Sequence, residues 1–130
     1  YLYRTYHGGA MSPPVQAASI AAWADEAHVV ENRRLYKQKF DAVIDILKPA
    51  LPVEWPDAAF YLWLKTPIDD VEFTRKLHDA EGVSVLPGSY LAREARGINP
   101  GTGRIRIALV ATVDECTEAA QRLKRFAVSL

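Results

Sequence analysis

The sequence predicts an α+β domain, in which a short β-sheet packed by helices forms a small layered core behind one long N-terminal helix. Three observations carry that expectation. Residues 15–48 contain neither Gly nor Pro and open with an alanine-rich stretch. Short apolar or alternating runs then interleave with helical patterns up to Val110. A last amphipathic segment begins at Thr112 with Glu115 behind it, the spacing of a capping box.

Taken in order, residues 1–14 hold Gly8-Gly9 and Pro13-Pro14 among aromatic and hydroxyl side chains. That reads as an irregular lead-in loop, with Pro14 suited to the first turn of a helix. Ala17, Ala18, Ala21, Ala22, Ala24 and Ala27 favour helix strongly. Leu35, Phe40, Val43, Ile44 and Leu47 recur near helical spacing until Pro49. Unbroken, a 15–48 helix would run about 50 Å, against a radius of gyration of about 14 Å for a compact chain of this size. It therefore either breaks near Glu31-Asn32-Arg33-Arg34 or is packed by something outside this chain, and the second is expected. Phe60-Tyr61-Leu62-Trp63-Leu64 is apolar on both faces and predicts a buried strand. Thr66-Pro67 opens the next helix, with Thr66 as its cap and Asp69 near its positive end. Phe73 and Leu77 share one face of that helix, and Gly82 stops it. Val83-Ser84-Val85-Leu86 predicts a second strand closed by Pro87-Gly88. The intervening helix would permit a right-handed crossover if these two strands paired in parallel. The loop from Ser89 to Gly103 exceeds ordinary connection lengths and is a candidate functional segment. Arg104 to Val110 alternates as a third strand, and Val113, Cys116, Ala120, Leu123 and Phe126 form the inward stripe of the last helix.

Composition narrows the function classes. The 130 residues carry 16 basic and 16 acidic side chains, a formal net charge of zero. No basic stripe is present, so nucleic acid is not an expected partner. The single cysteine, Cys116, cannot close an internal disulfide, which fits a reducing compartment. No apolar run approaches the ~20 residues of a membrane span, and no signal-peptide pattern opens the chain. Because the chain begins at Tyr1, a fragment of a longer protein is expected.

Among chemistry-bearing residues, Arg106 stands out. In the third strand Ile105, Ile107 and Leu109 alternate with Arg104, Arg106 and Ala108. An arginine in mid-strand needs water or an anion, and its planar fork matches a carboxylate at two points. A solvated face on an edge strand is the plainer alternative. Arg93, Arg96 and Asn99 in the long loop could clamp an anionic ligand, or the loop could be a solvated lid. Gly101-Thr102-Gly103 precedes a strand, where a dinucleotide fingerprint requires a helix. His7, His28 and His78 lack metal-ligand spacing, so no metal is expected. Ser12, Ser19, Ser84 and Ser89 lack a nucleophile-elbow setting. Asp69-Asp70 reads as helix-start electrostatics, and Trp23, Trp55 and Trp63 as packing anchors. None of the six lysines sits in a Ser/Gly-rich turn. The residues alone offer an anion-binding face and no catalytic group.

Four stretches carry a resemblance: Tyr6 to Gln16 (YHGGAMSPPVQ), Val85 to Glu94 (VLPGSYLARE), Asn99-Pro100-Gly101, and Arg104 to Val110 (RIRIALV). Together they resemble the C-terminal part of the class I/II aminotransferases, enzymes of fold type I dependent on pyridoxal 5′-phosphate. The nearest likeness is to bacterial N-succinyldiaminopimelate aminotransferase of lysine and cell-wall precursor synthesis. The resemblance implies that Arg106 binds the substrate α-carboxylate in a two-point salt bridge. It implies that residues 15–48 run between a large and a small domain, with residues 49–130 forming the small one. Residues 1–14 would lie near the active site and dimer interface, with His7 and Ser12 against substrate or the partner subunit. Arg93, and outside the matched stretch Arg96, would carry the distal charges of a succinylated dicarboxylate, with Asn99 beside them. In such enzymes the Schiff-base lysine, the aspartate at the pyridinium nitrogen and most phosphate ligands precede the position of Tyr1. This chain alone is therefore expected not to transaminate, and to belong to a homodimer with a large domain of its own. In the complete enzyme glutamate would donate an amino group destined for N-succinyl-2-amino-6-oxopimelate. A transaminase for other dicarboxylic or aromatic amino acids, or a free-standing amino-acid-binding regulatory module, are the alternatives.

Overall fold

The lead-in stretch is not irregular throughout. Leu2–His7 forms a short helix, α1, on which His7 stacks against Tyr3 with ring centroids 4.7 Å apart. The expected single helix over 15–48 is two, α2 at Pro13–Ala24 and α3 at Ala27–Leu47. The break falls at Asp25, whose backbone is extended and whose carboxylate accepts the Ala27 N–H at 3.1 Å. A short acid that bonds the backbone two residues on offers the chain an alternative to continued helix. The Glu31–Arg34 stretch does not break it. Glu31 and Arg34 pair at 2.7 Å on the helix surface, which supports the helix.

The computed structural model describes residues 1–130, in two units, Tyr1–Arg34 and Leu35–Leu130. No residue of the first unit is buried, and Trp23, expected as a packing anchor, is 84% exposed. The second unit holds the whole core.

That unit builds β1 (Tyr61–Lys65), α4 (Asp70–Glu81), β2 (Leu86–Pro87), α5 (Gly88–Leu91), β3 (Arg104–Ala108) and α6 (Val113–Val128). The sheet order is β1-β3-β2 with both pairings antiparallel, so the first two strands flank the third and do not pair with each other. The second strand is short because only Leu86 and Pro87 reach β3. Val85 is buried in the core, but residues 83–85 make no ladder. Leu62, Leu64 and Ile105 turn one face of the sheet to the core, where they join Phe40, Val43, Ile44 and Leu47 of α3, Phe73 and Leu77 of α4, and Leu123 and Phe126 of α6. Phe73 meets Phe126 edge to face at 5.1 Å.

Helix α4 starts three residues later than expected. Its cap is Asp69, whose carboxylate accepts the N–H groups of Val71 and Glu72 at 3.0 and 2.9 Å. The Thr66 hydroxyl donates instead to the Ile68 carbonyl. Gly82 ends α4 in the left-handed region at φ 66°, which favours glycine. The Thr112–Glu115 capping box opens α6, and Cys116, Ala120, Leu123 and Phe126 face the core with Val113 half-buried. No helix is long and apolar enough to cross a membrane.

Candidate functional site

The sheet face turned away from the core carries Tyr61, Trp63 and Lys65 on β1, in register with Ala108, Arg106 and Arg104 on the central strand β3. Arg106 lies between Trp63 on one side and Leu86 of β2 on the other. Its guanidinium carbon is 5.7 Å from the Tyr61 ring centroid, a cation–π contact. Its Nε is buried and has no hydrogen-bond partner. No acidic side chain pairs with it, although five other Lys and Arg residues, Arg34, Lys37, Lys76, Arg122 and Arg125, hold acidic partners on helix surfaces.

Arg106 lines a cavity of about 530 Å³ together with Tyr61, Trp63, Ala58, Ala59, Leu91 and Ala92. It is the one charged residue in that lining. A lone guanidinium among aromatic and aliphatic groups, with an unpartnered N–H, attracts an anion of planar fork geometry. Ala59, in the same lining, has φ 99°, a left-handed conformation in which an alanine is strained. A second cavity of 340 Å³ lies on the other flank, between residues 83–86, β3, α3 and α6, and includes Cys116. Burial pushes the Cys116 thiol up, so it stays protonated and unreactive.

The long loop contributes Leu91 and Ala92 to the same cavity and is held by its own packing and hydrogen bonds. Gly88 and Gly101 cross backbone to backbone, so that a methyl on either would run into the carbonyl of the other. A methyl on Gly88 would also come within 2.8 Å of the Trp63 ring. Asn99 brackets the crossing: its Nδ2 donates to the Ser89 carbonyl and its Oδ1 accepts the Gly101 N–H, each at 2.9 Å. Asp70, read from sequence as helix-start electrostatics, is fully buried. Its two oxygens accept the N–H groups of Ser89 at 2.9 Å and Gly103 at 3.0 Å. Burial alone would raise this carboxyl, but the hydrogen bonds from Ser89 and Gly103 outweigh it and hold the group below the ordinary carboxylate range.

Of the residues singled out from sequence, Arg106 lines the cavity and Asn99 supports its wall from within the loop, with both amide groups on backbone partners. Arg93 and Arg96 are exposed and make no ion pair, and Arg96 turns the chain at φ 55°. His7 and Ser12 lie on the surface of the first unit, Ser12 at the start of α2 without a side-chain capping bond. Asp70 and the paired glycines were not among the sequence candidates.

The pattern of the family described as aminotransferase class I and II matches residues 2–123. The chain belongs to that family. An LL-diaminopimelate aminotransferase of Maridesulfovibrio salexigens is 36% identical over 115 residues, which is 85% of this chain and 28% of that protein. The crystal structure of an aminotransferase from Neisseria meningitidis superposes with a TM-score of 0.84 at 57% identity, over 94% of this chain and 31% of that one. A Thermus thermophilus structure, described as a probable N-succinyldiaminopimelate aminotransferase, gives 0.66 at 34% identity over 79% of this chain and 27% of that one. The α+β architecture matches these neighbours, and the chain spans 28% of the length of its curated relative. The family depends on pyridoxal 5′-phosphate. The lining of the Arg106 cavity contains no lysine to bind that cofactor covalently and no carboxylate for its ring nitrogen. These residues do not fit the cofactor. They fit an anionic group such as a carboxylate.

Proposed function

We propose that this chain supplies the small domain of a pyridoxal-phosphate-dependent aminotransferase, and that Arg106 is its anchor for the substrate α-carboxylate. The observation that carries the reading is the unpaired guanidinium, with its buried free N–H, over Tyr61 in an otherwise uncharged cavity. A two-point contact fixes the rotation of the amino acid about its Cα, and so the direction of the Cα–H bond that must be broken. That is catalysis by positioning. The cofactor, when bound by the rest of the protein, supplies the electron sink. Amino acids and 2-oxo acids are the proposed substrates, with glutamate as donor and N-succinyl-2-amino-6-oxopimelate as acceptor. Arg93 and Arg96, exposed and unpaired, would meet the distal carboxylates. The likeness to proteins named for diaminopimelate and N-succinyldiaminopimelate supports a dicarboxylic substrate.

Residues 49–130 are proposed as the small domain and the helical stretch 15–48 as the connection to a large domain. Residues 1–14, with His7 and Ser12, are proposed to lie against the active site and a partner subunit of a cytoplasmic homodimer. Supporting this, the first unit buries none of its own residues while exposing Leu2, Tyr6, Ile20 and Trp23, so it has no core without a covering surface. The test is the visible spectrum of the protein made from its complete reading frame, before and after glutamate. A cofactor band that bleaches with donor, and returns with the succinylated oxo acid, supports the reading. A folded protein with no visible band sinks it and leaves an amino-acid-binding module to examine.

A further inference from the structure

We propose that Asp70 is a positioning residue for the Arg106 cavity, a carboxylate that sets the distance between the anchor strand and the cavity wall formed by Leu91 and Ala92. The inference rests on the proposed binding role of Arg106. Asp69 and Asp70 are adjacent but divide their work, since Asp69 takes the helix-cap bonds and leaves both oxygens of Asp70 free. Those oxygens reach the two ends of one loop, Ser89 where it leaves β2 and Gly103 where it enters β3. Gly103 immediately precedes the strand that carries Arg106, and its carbonyl also accepts the Thr66 N–H at 2.9 Å. Ser89 lies in α5, whose Leu91, with the next residue Ala92, forms the loop wall of the cavity that Arg106 lines. One buried carboxylate therefore ties the anchor strand to the wall. The Asn99 bracket and the Gly88–Gly101 crossing hold the loop between those ends. A dicarboxylate gripped at one end by Arg106 needs this wall at a fixed distance, because the wall decides how its chain leaves the anchor.

The experiment uses the complete protein with its cofactor. Asp70→Asn keeps the shape but presents an NH₂ group to one of the two N–H donors, so one tie is lost. The expected result is a rise of roughly tenfold in KM for glutamate with kcat nearly unchanged. The cofactor spectrum should stay that of the wild type, and amide exchange in residues 88–103 should quicken. Asp69→Ala is the control for simple destabilisation and should lower Tm without moving KM. An unchanged KM in Asp70→Asn, or an equal rise in Asp69→Ala, overturns the proposal. If Asp70→Asn does not fold, Asn99→Ala releases the same loop from its inner bracket: a raised KM supports the proposal and an unchanged one overturns it. If wild-type protein shows no response to glutamate, the aminotransferase reading has failed. Exchange in residues 88–103 then tests the tie alone, and unaltered exchange in Asp70→Asn refutes it.

Discussion

Replacing Arg106 by alanine in the complete protein separates a binding role from a structural one. The side chain has no ion pair, and its Nε has no hydrogen-bond partner, so its removal strands no buried group. What folding loses is the contact with the Tyr61 face, about 0.5–1 kcal/mol for a partly exposed pair. What binding loses is larger. Hydrogen bonds to charged groups contribute about 1.5–3 kcal/mol each, so a two-point contact corresponds to roughly a hundred- to ten-thousand-fold in kcat/KM. The expected outcome is thus a large loss of activity toward every amino acid with little change in Tm. Arg106→Lys keeps the charge but loses the fork, and should fall between wild type and alanine. A simple amine without a carboxylate should react equally with all three proteins, since it never used the anchor. Steady-state kinetics with glutamate and with such an amine provide the assay. A value of kcat/KM for glutamate in Arg106→Ala within about threefold of wild type would refute the role.

Ala59→Gly relieves an alanine held at φ 99° and should stabilise the protein by about 1 kcal/mol in urea unfolding; a destabilisation would mean the Ala59 methyl packs more than its backbone costs. Gly101→Ala forces a methyl into the Gly88 carbonyl and to within 2.9 Å of the Ala92 Cβ, and should destabilise by more than ~2 kcal/mol, with wild-type stability contradicting the crossing. Asp70 has its folded pKa below its unfolded one, so its contribution is complete above about pH 3.9 and disappears as pH falls through the lower folded value. Asp70→Asn should therefore flatten the acid-side decline in stability, and parallel declines in the two proteins would contradict that linkage.

Features set by neighbours along the chain were legible in the sequence. Gly82, the Thr112–Glu115 box and the stripe Cys116, Ala120, Leu123, Phe126 each follow from a local period or a cap, and each is where the sequence puts it. Two misplacements were also local. Asp25 bears an Asx-turn signal that the alanine-rich context hides, and Asp69 outcompetes Thr66 as a cap because its carboxylate reaches two N–H groups at once. The second strand failed for a different reason. Alternation in Val83 to Leu86 reports burial, which Val85 satisfies in the core, whereas a strand needs a partner backbone and β3 is beside only Leu86 and Pro87. Asp70 could not be read at all, because its partners lie 19 and 33 residues away. The twin Pro-Gly pairs, Pro87-Gly88 and Pro100-Gly101, were the one available hint that two turns meet.

The placement of charge explains why Arg106 stays available. A chain with 16 acids for 16 bases has enough carboxylates to neutralise every arginine. Surface pairs such as Lys76–Glu72 and Arg125–Glu81 form that way. The acid beside the loop, Asp70, is the one buried charged residue, and an ionised carboxylate in such a place would normally seek a cation. Both its oxygens are instead occupied by backbone N–H groups, which keep it ionised without consuming an arginine. Main-chain donors thus satisfy the buried acid, and the strand cation is left to an exchangeable anion. Asp70→Asn replaces one acceptor oxygen with an NH₂ donor and removes the charge, so it loosens the wall at one of its two ties and leaves Arg106 itself untouched. For that reason Asp70→Asn should perturb substrate affinity more than stability.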